Sequence, residues 1–170
     1  MPKPIRLYVR YVETVNRVVG RAAMYLVLAM MLGLMFVSGS RAFFGVSYIW
    51  AVEMAQFALA AYYLLGGGYS MQLQGHVRMD LFYSRWSPRG QAIADTLTVC
   101  CLIFYLVVLL IGGISGTIYA LEYGQKNYSS WAPPLAPIKI IMCIGIALML
   151  LQAIALFFKD LATAIGRPLE

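Results

Sequence analysis

Few residues in this chain could do chemistry, and they do not cluster. There is one histidine, His76, with three cysteines, Cys100, Cys101 and Cys143, and seven acidic residues. Haem held by paired axial histidines needs a second imidazole, as does a multi-histidine metal site, so neither is open to this sequence. The cysteines show neither the C-x-x-C spacing of a redox pair nor that of a zinc cluster, and they read as small apolar packing residues. Gly66-Gly67-Gly68 lies in an apolar run without the Lys-Ser/Thr that completes a phosphate-binding loop. Serines are present, but none in an apolar run has a His–acid pair beside it. Catalysis, cofactors and metals are therefore not expected.

One ionisable residue does stand out. Glu53 opens a polar and small-residue series, Glu53, Gln56, Ala60, Tyr63, Gly67, Ser70 and Gln74, whose steps of three and four make one stripe on a helix. Lipid has no use for such a stripe, whereas a neighbouring helix can pair its polar groups and approach closely at glycine. The stripe is expected to contact a protein partner. Glu53, near the outer end of its helix, either serves that contact or couples a proton or ion. A carboxylate at that level can also snorkel to water or meet Arg41.

The elements that position these residues follow from composition. Of 170 residues, 62% are hydrophobic and 12% charged, which suits a bilayer better than water. Four apolar runs are long enough to cross it, at Ala22–Ser40, Ile49–Met71, Leu97–Tyr119 and Ile138–Phe158. The expected fold is an all-α integral membrane protein, a single membrane domain over residues 1–170, with no separate soluble core. If the spans alternate, ten of the thirteen Lys and Arg fall on the side of both termini, and only Arg41, Lys126 and Lys139 lie opposite. The positive-inside rule then puts both termini in the cytoplasm. The net charge of +6 needs no nucleic acid, because these bases flank spans, where anionic lipid is the natural counterion.

Ahead of the first run, Ile5, Tyr8, Val12, Val15 and Val19 share one side of a helix while Arg6, Arg10, Glu13 and Arg17 lie elsewhere. Residues 1–21 thus read as an amphipathic helix in the cytoplasmic interface, or as an extension of the first span. A cleaved signal peptide ending near Ser38-Gly39-Ser40 is disfavoured by the long lead, Glu13 and the length of the apolar run. Gly112 and Gly116 form a G-x-x-x-G in the third run, a weak sign of helix contact. Ser87-Pro88 reads as an N-cap and first helical residue. Tyr128 to Pro134 reads as a rigid outer turn, with Pro137 near the start of the fourth helix.

The stretch from Trp50 to Asp80 resembles the small membrane subunit, DctQ type, of the tripartite ATP-independent periplasmic (TRAP) transporters. The likeness rests on Trp50 and Glu53 opening the second span, the small patch Gly66–Gly68, and Gly75-His76-Val77-Arg78-Met79-Asp80 at its exit, which fits the family's G-H-[IV]-R-[VM]-D pattern. Ser130, Pro133 and Pro137 resemble its approach to the fourth span. Read from the residues alone, the exit segment is a charged turn, with Val77, Leu81, Phe82 and Trp86 resting in the interface. The resemblance implies a docking element instead, so His76, Arg78 and Asp80 join Arg41, Trp50, Glu53, Gln56, Ala60, Gly67 and Ser70 as candidate interface residues. His76 either satisfies a backbone group or senses pH.

The resemblance further implies a bacterial inner-membrane scaffold subunit, with no cofactor of its own. Its partners would be a large multispan membrane subunit of the DctM type and a periplasmic binding protein of the DctP type, in sodium-driven import of an organic acid or related solute. The alternative is an autonomous four-helix transporter, acting as a homodimer with Glu53 as proton acceptor.

Overall fold

The computed structural model describes residues 3–46, 48–73 and 88–164. Among them lie four helices, each long and apolar enough to cross a bilayer: α1 Lys3–Phe44, α2 Ile49–Gln72, α3 Pro88–Glu122 and α4 Ala136–Ala164. Each contains one of the apolar runs, because a chain in lipid must satisfy its backbone polar groups within its own helix. The segment expected to lie at the interface is the first half of α1, continuous with the first span and with no break between them. At 42 residues, α1 is about 63 Å long, roughly twice the hydrocarbon thickness.

The helix ends follow local chemistry. Gly45, at φ +68°, closes α1 in the left-handed region, its N–H donating to the Arg41 carbonyl at 3.1 Å. Helix α3 begins at Pro88, where proline's missing N–H removes no helical bond. Gly124, at φ +55°, ends α3, and the Gln125 N–H reaches back to the Ala120 carbonyl at 3.0 Å. The expected outer turn is held by its backbone. Asn127 N–H donates to Pro133 O at 3.0 Å and Leu135 N–H to Gln125 O at 2.9 Å, while Ser129 Oγ accepts from Ala132 N–H at 3.1 Å.

Helix α4 is the hub, packing on α1, α2 and α3, and its small residues allow this. Ala153 and Ala155 are fully buried, and a Cβ placed on Gly145 would lie 2.9 Å from the Leu64 carbonyl carbon and oxygen. Backbone touches backbone there. Leu64 against Gly145 and Gly67 against Met149 set α2 and α4 side by side in the same direction, while α1 returns along α2 from the opposite side. Met71, Leu106, Ile146 and Ala153 form the main core. The second core, Val9, Val12 and Ala155, joins the first half of α1 to the end of α4.

Candidate functional site

The polar stripe on α2 divides along its length. The six described positions from Glu53 to Ser70 spread over about 100° at 100° per residue, and their burial differs across that width. Glu53 and Gly67 fall on the covered side. Glu53 is 7% exposed, and a Cβ added to Gly67 would meet Met149 Sδ at 2.7 Å. Ala60 is half-buried, and Gln56, Tyr63 and Ser70 face outward. Gly66 lies beside them with nothing within 4 Å of its Cβ position. An open groove of about 260 Å³, lined by Tyr62, Tyr63, Gly66, Gly67, Ser70 and Met149, runs between α2 and α4 at this point.

Glu53 lies in the second turn of α2, and its side chain is packed inside the protein. Its Oε2 is buried without a hydrogen-bond partner, and no pair with Arg41 forms. Arg41 is exposed at the far end of α1, in the turn that leads to α2. Trp50 is half-exposed and meets Tyr48 edge-on at 6.2 Å, with Tyr48 in turn stacked on Phe36, which ties the start of α2 to α1. Lys139, the nearest basic residue at the start of α4, is turned toward α3. Its Nζ donates to Gly116 O at 3.1 Å and to Gln125 Oε1 at 2.8 Å. His76, Arg78 and Asp80, with the rest of the exit segment and Gln74, lie outside the described residues.

A polar contact that the stripe does not reveal sits where α1 crosses α4. Asn16 Nδ2 donates to Gln152 Oε1 at 2.8 Å, and the two residues are 0% and 2% exposed. Asn16 Oδ1 has no partner and rests where a Cβ on Gly68 would be, 2.7 Å away. Gln152, the only amide in the run from 138 to 158, was the available signal. At the same crossing Glu13 pairs with Lys159, and Tyr8 donates its hydroxyl to Leu151 O at 3.2 Å. Among the described residues no group of three His, Cys, Asp or Glu is placed to hold a metal.

The glycines of α3 also divide. Gly113 packs on Cys143, at 3.3 Å from its Cβ position, while the Cβ positions of Gly112 and Gly116 face open space. Two glycine grooves therefore open outward, one on each side of α4, the second lined by Tyr105, Val108, Leu109, Gly112, Gly113 and Met142. Such geometry suits the binding of other helices. Both grooves are open, and their lining is mostly apolar.

A family model described as Tripartite ATP-independent periplasmic transporters, DctQ component, matches residues 30–163. No curated protein and no solved structure matches the chain.

Proposed function

Since the chain belongs to the DctQ family and is thereby a small permease subunit of a TRAP transporter, we propose that it is the fixed scaffold on which a large DctM-type subunit moves solute. The family is a transport component, and four helices long and apolar enough to cross a membrane support a multi-pass protein of the bacterial inner membrane. The observation that supports the scaffold role is the outward face of α2. Gln56, Tyr63, Gly66 and Ser70 are presented to the bilayer, where polar and small groups gain nothing from lipid but can meet a helix closely. The same face now excludes Gly67, which is occupied within the chain.

The distribution of basic residues supports a cytoplasmic location for both termini. Cysteines at Ser84 and Ser129 in a cysteine-free background should be labelled from opposite sides, and same-side labelling would reverse that assignment. Membership of the family supports a reading in which a DctP-type binding protein delivers an organic acid or related solute and a sodium gradient drives import. An autonomous proton-coupled transporter finds no support, because Glu53 sits in the second turn of α2, about 6 Å from its start, far from a midplane site.

Purification of the tagged chain in mild detergent tests the scaffold role. A large multispan protein should be recovered in equal amount from wild type. Gly66→Leu, which fills the open groove, should lower that recovery at least threefold while the subunit alone keeps its stability. Equal recovery with Gly66→Leu would move the interface elsewhere.

A further inference from the structure

The first half of α1 carries a feature that scaffolding does not use and that precedes the stretch shared with the family. Arg6, Arg10, Arg17 and Arg21 are all exposed, and at 100° per residue they fall within about 60° of one another. The row runs about 22 Å along the axis at 1.5 Å per residue. None of the four guanidinium groups has an ion-pair or hydrogen-bond partner among the described residues. The one carboxylate nearby, Glu13, is engaged by Lys159.

A second row lies beside the first. Leu7, Tyr11 and Val18 repeat the spacing of the arginines one position later and are 74%, 72% and 64% exposed. Water gives no reason to display them. The third side of the helix, with Tyr8, Val9, Val12 and Asn16, is fastened to α4 between Leu148 and Lys159. That stretch of α4 closes its apolar run, so this half of α1 is held beside the end of a span.

From these three sides we propose that the arginine row binds the phosphates of anionic phospholipid on the side of the amino terminus, while Leu7, Tyr11 and Val18 enter the acyl region beneath. Guanidinium forks match phosphate oxygens, and each base near an anionic surface adds to the attraction. An acidic protein segment would answer the charges but leave the apolar row uncovered. Lipid answers both. The lipid would hold α1 against α4, and the contact would depend on head-group charge.

The test uses the full chain in mild detergent, mixed with phosphatidylglycerol or phosphatidylcholine, with bound lipid counted by native mass spectrometry. Wild type should retain phosphatidylglycerol over phosphatidylcholine, and each Arg→Gln change in the row should lower that retention about fivefold. The variant R6Q/R10Q/R17Q/R21Q should lose the preference, whereas R41Q/K126Q, at the other end of the spans, should keep it. Equal retention of both lipids by wild type, an unchanged preference in the quadruple variant, or displacement of phosphatidylglycerol by millimolar inorganic phosphate would each overturn the proposal.

A second readout needs no change to the row. A polarity-sensitive fluorophore on Thr14→Cys, in a chain whose three native cysteines are replaced by alanine, reports from the exposed surface between the arginines and the apolar row. Its emission should shift to the blue when nanodiscs of phosphatidylcholine are replaced by nanodiscs containing phosphatidylglycerol. An emission indifferent to head-group charge would overturn the proposal.

Discussion

Glu53 carries a buried oxygen with no donor, and a charged group so placed is costly unless something neutralises it. Gln at this position keeps the shape and removes the charge. We therefore expect Glu53→Gln to co-purify with the large subunit as wild type does and to hold uptake within about twofold, with thermal stability in detergent unchanged or raised. Uptake lost at normal complex yield would assign Glu53 to ion coupling instead. The residue itself was legible in the sequence, being an acid on a polar stripe at a span end. Its burial was not, because position along α2 reports depth but says nothing of where the edge of α4 falls. Asn16 escaped for a related reason: among the arginines and apolar residues of α1 it looks like surface, and only its bond to Gln152, far off in sequence, makes it core.

At the scale of the helices, contact between α2 and α4 depends on the absence of a side chain. The neighbour at Gly145 is the Leu64 backbone, which cannot swing aside as a side chain can. Gly145→Ala should push the two helices apart and destabilise the subunit by about 1–3 kcal/mol, read as a lower melting temperature in detergent. Gly112→Ala, with open space at its Cβ position, should leave the melting temperature of the isolated subunit unchanged. If the two substitutions behave alike, the α2–α4 contact is not as close as described. The four runs, the proline start of α3 and the glycine-closed ends could be read directly, since length, hydropathy and capping are local properties. Which glycine faces its own chain and which faces outward could not. Gly112 and Gly113 are adjacent in sequence and differ completely in surroundings, a difference set by the side on which α4 packs.

For the molecule as a whole, the order α3, α4, α2, α1 leaves wide apolar faces on α1 and α3, as at Leu28, Leu32, Phe104 and Ile111. Lipid accepts such faces without a partner, so their exposure says little about assembly. The outward grooves and the family say more. The scaffold role proposed above requires no solute site on this chain. The scaffold role therefore requires that transport depend on both chains. The direct measurement is uptake into proteoliposomes, with an inward sodium gradient and the cognate binding protein carrying its radiolabelled solute, for the large subunit alone, this chain alone, and both together. Uptake should appear only with both chains present, whereas full uptake by the large subunit alone, or any by this chain alone, would contradict the assignment of this protein as a required, non-transporting scaffold.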